Sequence, residues 1–287
     1  MTFPTDIGII DLMLGVPSKR DQWATDFGNL VRDSASKELR HGAGYMFKDL
    51  PEVDGTVDYV AFLIAEMDRW GIEKGLLPVS EGDEYGTRAV KEHPQRLYGS
   101  ILLDPNKGMD AVRALQHAVA NLGVVAAACF PSGTFPQVNI NDAKMYPIYA
   151  KCVELDIPIF VNAGVPGPRF PMHPQHVEHI DIVMYDFPEL TFVTRHGTEP
   201  WQDLAVKLML KWPNLYYSTS AFAPKHYPQA IVNYANTRGA DKVMYAGYFP
   251  SGLSLERIMT EMPNVGFKDH VWPKFLRENA LRILKMD

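Results

Sequence analysis

Cysteine is nearly absent: the 287-residue chain carries two, Cys129 and Cys152, and they form no C-x-x-C pair. That excludes a disulfide framework and a cysteine-built zinc knuckle. Two isolated cysteines in apolar or helical text read as buried, reduced thiols, which suits a cytoplasmic setting. Positive charge is also short, with 28 Lys and Arg against 34 Asp and Glu and a net charge of −6. General nucleic-acid binding, which needs a basic face, is therefore not expected. Every apolar run falls well below the ~20 residues of a membrane span. The opening MTFPTDIGII lacks the basic segment and long apolar stretch of a signal peptide. No charge block, low-complexity tract or short repeat interrupts the chain. What remains, 46% hydrophobic and 22% charged residues, is the composition of a soluble globular protein with a large core.

Eight short apolar runs stand out: Ile7–Leu14, Glu73–Val79, Leu97–Leu103, Gly123–Phe130, Pro158–Ala163, Leu190–His196, Leu215–Ser220 and Lys242–Gly247. Each is continuously apolar rather than alternating, the pattern of parallel strands buried on both faces. Amphipathic stretches such as VDYVAFLIAEMDRWG, MDAVRALQHAVANLG, AKMYPIYAKCVELD and WQDLAVKLMLKWP lie between them, and several end in Gly or Asp-x-Pro. Eight strand–helix units predict an α/β fold, a (β/α)8 TIM barrel in a single domain over residues 1–287. A doubly wound open sheet is the alternative, but no G-x-G-x-x-G follows the first run. One connection departs from the ~2–6 residues usual after a barrel strand. Residues 15–55 form a long insertion between the first strand and its helix, expected as a lid or wall over the barrel mouth. The C-terminal VWPKFLRENALRILKMD reads as a last amphipathic helix.

In such a barrel the reactive groups gather at the C-terminal ends of the strands. Those ends present Asp11 and Met13, Asp104, Asn162 with Arg169 beyond it, His196, Ser220 and Tyr248. The densest group is TRHGTEPW, where His196 can exchange protons near neutral pH and Glu199 can orient its ring. The competing reading pairs Arg195 with Glu199 and leaves His196 on a backbone carbonyl. In the long insertion, RHGAGYMFK gathers Arg40, His41, Tyr45 and Lys48. These are substrate contacts or parts of a salt-bridged loop, and both readings stand. AGVPGPRF aims Arg169 from the fifth strand, either to grip a carboxylate or phosphate or to pair with a neighbouring loop. Ser218 and Ser220 lack the G-x-S-x-G turn of a nucleophile, so Ser220 is expected only as a substrate contact. HPQHVEH spaces His173, His176 and His179 three apart, a spacing common on solvated helices and a fallback for metal binding.

Together IIDLML, MDRWGIEKGLL, ILLDPNKGM, PIFVNAG, TRHGTEPW and VMYAGYFP resemble the amidohydrolase superfamily, in the branch of aminocarboxymuconate-semialdehyde decarboxylase and resorcylate decarboxylase. The likeness covers nearly the whole chain. It implies a barrel with a divalent metal, usually zinc, held by a D-x-H-x-H strand, a strand-five His and a strand-eight Asp. It also implies a strand-six His as proton carrier. Carried onto this sequence, only that carrier, His196, survives. Met13 and Gly15 stand where the two histidines belong, Asn162 at the third ligand position and Tyr248 at the fourth. These residues do not compose a zinc set, so no metal and no other cofactor is expected.

Without a metal, His196 is the expected general acid or base, oriented by Asp11 or Glu199. Tyr248 and Asn162 would donate hydrogen bonds to an oxygen gaining negative charge. That set suits cleavage next to a ketone. The long stretches TRHGTEPWQDLAVKLMLKWPNLYYSTSAFAPK and YAGYFPSGLSLERI are further similar to a metal-poor, actinobacterial-type branch. That likeness implies a hydrolase of aromatic β-ketoacyl-CoA thioesters acting in retro-Claisen fashion. A non-oxidative decarboxylase of aromatic or unsaturated acids is the first rival, and a catalytically inactive binding barrel the second. The expected partners are a small-molecule substrate, a CoA thioester among the candidates, and a second copy of the chain in a homodimer. Neither nucleic acid nor membrane is expected.

Overall fold

The computed structural model describes residues 3, 4, 6–16, 27–39, 42–47, 53 and 56–286. Eight parallel strands follow one another around a single sheet: β1 Ile9–Asp11, β2 Ile72–Pro78, β3 Leu97–Leu102, β4 Val124–Cys129, β5 Ile159–Asn162, β6 Phe192–Arg195, β7 Leu215–Ser218 and β8 Val243–Met244. The sheet curls so that its two edges meet. Leu12 N–H donates to the Tyr245 carbonyl at 3.4 Å, Tyr248 N–H to Met13 at 3.1 Å and Gly15 N–H to Phe249 at 2.8 Å. The fold is the expected (β/α)8 barrel.

Alternation along the strands sorts the core into two layers. Ile10, Leu12, Leu76, Ala126, Ala128, Phe160, Val193, Met244 and Ala246 fill the interior. Ile9, Leu77, Ala127, Ile159, Phe192, Tyr217 and Tyr245 face the surrounding helices. Ile283, Leu284 and Met286 from the C-terminal helix Asn279–Leu284 and its end pack into the interior layer at the strands' N-terminal ends. Leu102 lies in the interior phase of β3 yet is 56% exposed.

The helices begin and stop where local chemistry directs. Asp58 caps Tyr59–Arg69 by accepting from the N–H groups of Val60 and Ala61, and Gly71 ends its run at φ 68°. Gly123, at φ 66°, does the same after Met109–Asn121. Several strands are shorter than their apolar runs. The β6 run stops at Arg195 because His196 is left-handed at φ 63°. β8 covers only Val243–Met244, since Tyr245 N–H donates to Phe275 in the helical segment Lys274–Glu278 rather than to a strand. Cys129 and Cys152 are free and buried, and burial pushes the Cys152 thiol up to about 12. Among the described residues no helix is long and apolar enough to cross a membrane.

Candidate active site

Positive backbone φ angles mark the strand mouths: Gly164 after β5, His196 and Gly197 after β6, Ala221 after β7 and Tyr248 after β8. For His196, Ala221 and Tyr248 this conformation is strained, and strain of this kind concentrates at functional sites. The left-handed turn at His196–Gly197 brings the imidazole to the mouth. Ser220, on the neighbouring strand end, fixes it: its hydroxyl accepts the His196 backbone N–H at 3.0 Å and lies 3.1 Å from Nδ1. A serine hydroxyl can give its proton to a neutral Nδ1 or accept one from the charged ring. The Tyr248 ring stands edge-on to the imidazole, centroids 4.9 Å apart, and packs against Phe47 of the long insertion.

The expected orienting carboxylates are placed elsewhere. Asp11 is fully buried in the β1–β8 seam, where Oδ1 accepts from the N–H groups of Met13 and Gly247 and Oδ2 accepts from the Tyr245 hydroxyl. Burial raises its pKa against those three donors. Glu199 folds back beneath Gly197, with Oε2 accepting from Thr198 N–H at 3.0 Å and Oε1 buried without a partner. Burial raises its pKa too. Neither carboxylate is bonded to the His196 ring; among the described residues that place belongs to Ser220. Ser220 itself is completely buried behind the imidazole, a support rather than the substrate contact expected.

Arg169 also differs from its free, anion-gripping reading. Its guanidinium pairs with Asp33 at 2.8 Å, reaches the Ser36 hydroxyl and lies 4.7 Å from the Tyr45 ring centre. Tyr45 in turn donates to the Gly167 carbonyl at 2.6 Å. Ser36 and Arg169 hold the Asp33 carboxyl below its usual range. Arg169 and Tyr45 therefore tie the insertion to the β5 loop. Arg40 and His41 lie outside the described residues. Asp104 caps a short turn by accepting from Asn106.

Met13 packs on the interior layer. Asn162 and Arg195 were expected in different roles, yet they are register partners on β5 and β6, two residues beyond Phe160 and Val193 on the inner face. Arg195 does not pair with Glu199. Its guanidinium rests 5.5 Å from the Phe160 ring centre, near the Tyr248 phenol, and burial lowers its pKa to about 10. Strand alternation from Val193 was the signal that could have placed Arg195 inside.

The family model for amidohydrolases matches residues 55–286. The chain belongs to the amidohydrolase family. Solved structures share its fold. An uncharacterized TIM-barrel protein from Bordetella bronchiseptica is 22% identical, with a TM-score of 0.74 over 98% of this chain and 99% of that one. 5-Carboxyvanillate decarboxylase from Novosphingobium aromaticivorans, complexed with manganese and a nitrobenzoic acid, is 16% identical, with a TM-score of 0.69 over 98% and 96%. A probable 2-pyrone-4,6-dicarboxylic acid hydrolase from Acinetobacter baumannii is 13% identical, with a TM-score of 0.64 over 97% and 100%. No curated protein matches the chain in sequence.

The metal implied by that resemblance does not fit these residues. Met13 offers a thioether, Gly15 no side chain, Asn162 a neutral amide and Tyr248 a phenol, and a guanidinium shares their face. His173, His176 and His179 do cluster, with ring centroids 5.1 Å apart for the outer pair. Two of their ring nitrogens are engaged: His176 Nδ1 accepts from Glu178 N–H, and His179 Nε2 lies 3.1 Å from the His173 carbonyl. Among the described residues no group of three or more His, Cys, Asp or Glu could hold a metal ion.

Proposed function

We propose that this amidohydrolase-family barrel is an acid–base hydrolase that cleaves a carbon–carbon bond next to a ketone. The single observation that carries the reading is the imidazole of His196, locked by Ser220 and set edge-on to the Tyr248 phenol at the barrel mouth. A water gives its proton to His196 and adds to the carbonyl carbon. The resulting oxyanion is held by the Tyr248 hydroxyl and the Asn162 amide. Collapse breaks the bond to the α-carbon, and the electron pair leaves as an enolate that takes the proton back from His196. Water is consumed, and an acid and a shortened carbonyl compound leave. Aromatic β-ketoacyl-CoA thioesters have this reactive group and are the first substrates to try.

The second reading is decarboxylation, in which His196 protonates the carbon that loses CO2. The fold shared with 5-carboxyvanillate decarboxylase favours it. A panel of aromatic β-ketoacyl-CoAs and hydroxybenzoic acids, run with detection of CoA products and of CO2, separates the two. CO2 release with no hydrolytic product sinks the hydrolase reading. In either reaction His196→Asn should reduce turnover by roughly 10²–10⁴-fold. Asparagine tolerates the left-handed backbone, so the variant should stay folded. A folded His196→Asn enzyme with wild-type turnover would remove His196 from the mechanism.

A further inference from the structure

We propose that Arg195 is the fixed cation of this barrel: its guanidinium, flanked by the Asn162 amide, receives a carboxylate of the substrate at the mouth. Arg195 is 7% exposed and Asn162 8%, yet among the described residues no hydrogen bond or ion pair involves either side chain. The partner that the sequence offers, Glu199, is turned beneath Gly197. A buried charge without a counter-ion is costly, and proteins keep one where a ligand completes the pair. The two groups facing Arg195 are the Phe160 ring and the Tyr248 phenol, and burial leaves the guanidinium still charged near neutral pH, with its pKa at about 10.

The donors also keep some contact with solvent. Fully buried polar atoms without partners lie on Trp70, Arg88, Thr198, Glu199 and Gln202, and none on Arg195 or Asn162. Their uncommitted N–H groups therefore retain access to the mouth. Guanidinium donors form a planar fork that matches the two oxygens of a carboxylate, and the adjacent amide adds another donor. Met13 and the exposed Leu102 supply apolar surface for the rest of the ligand, which suits an aromatic or conjugated acid. This deepens the function proposed above, rests on it for the reaction, and narrows the substrate to a β-keto compound with a free carboxylate, which a simple aromatic β-ketoacyl-CoA thioester lacks. The carboxylate would sit on Arg195 while the reacting carbonyl faces His196 and Tyr248.

The test is equilibrium binding, independent of turnover, with benzoate and 2-hydroxybenzoate against benzamide and 2-hydroxybenzamide. Wild-type protein should prefer each acid over its amide by about 10-fold or more. Arg195→Met should abolish that preference and melt at or above the wild-type temperature, because an uncompensated charge has left the interior. Three results overturn the proposal: no acid preference in the wild type, whether both probes bind or neither does; an intact preference in Arg195→Met; or an Arg195→Met protein that melts well below wild type, which assigns the cation to structure. Acid preference without turnover of any β-keto substrate would reject the hydrolase reading and leave Arg195 in place. Turnover without acid preference would do the reverse.

Discussion

Two hydrogen-bonding groups of His196, its strained backbone N–H and its ring Nδ1, meet one buried hydroxyl. Ser220 therefore sets where the imidazole points without touching substrate. Ser220→Ala would strand a backbone donor, at a cost of about 1–3 kcal/mol in stability. It would also release the ring to other rotamers, so kcat should fall by roughly 10-fold while KM changes little. Denaturant unfolding and steady-state kinetics on the same preparation check both parts. A rise in KM with kcat unchanged would mean that Ser220 faces the substrate after all. The pairing spans 24 residues and joins two strand ends. Both residues stand at strand mouths in the sequence, but nothing local in it joins them.

Among the elements, the β6 turn has the least freedom. Gly197 is at φ 82°, and a Cβ there would come within 2.1 Å of Glu199 Oε2 and 2.6 Å of the Phe222 ring. Gly197→Ala should lose roughly 2–3 kcal/mol and, by shifting the adjacent imidazole, most of the activity. Gly82→Ala is the control: φ is 81°, but nothing lies within 4 Å of the added methyl, so about 1 kcal/mol is expected. Equal losses in the two variants would show that the packing beneath Gly197 does not matter. This same turn explains why part of the site was hidden in TRHGTEPW. Arg195 and Glu199 lie one helical turn apart in sequence and look like a natural ion pair. The left-handed pair His196–Gly197 instead sends the carboxylate under the turn while the strand sends the guanidinium into the barrel. The eight strands were legible because continuous apolar text needs two covered faces, which the strands of a helix-flanked parallel sheet have. Strand ends were less so, since what stops them is a φ angle or a bond to another segment.

At the scale of the whole molecule, a barrel must join its first strand to its last, and here the join is sparse. Beyond three backbone bonds, Asp11 bridges the seam to Gly247 and Tyr245, residues 236 and 234 positions away. The family motif keeps this aspartate, and its reading as an orienter of His196 gives way to a role in closure. Asp11→Ala would leave two backbone donors and a phenol buried without an acceptor, and about 3 kcal/mol or more of stability should be lost. Asp11→Asn keeps an acceptor and removes the ionisation. Because burial raises the folded-state pKa of Asp11 above its ordinary 3.8, the acid is neutral in both states at lower pH and imposes no cost there. As pH rises past that value the unfolded chain loses this proton while the folded one retains it, so stability falls until the folded pKa is passed. Urea unfolding of wild type and Asp11→Asn across pH 4 to 8 isolates this contribution, since the other carboxylates cancel in the difference. The wild-type advantage should shrink as pH rises. A difference that stays flat would mean that the three donors offset burial and keep Asp11 at its ordinary pKa; one that grows would mean that they win and that the seam is held by a full negative charge.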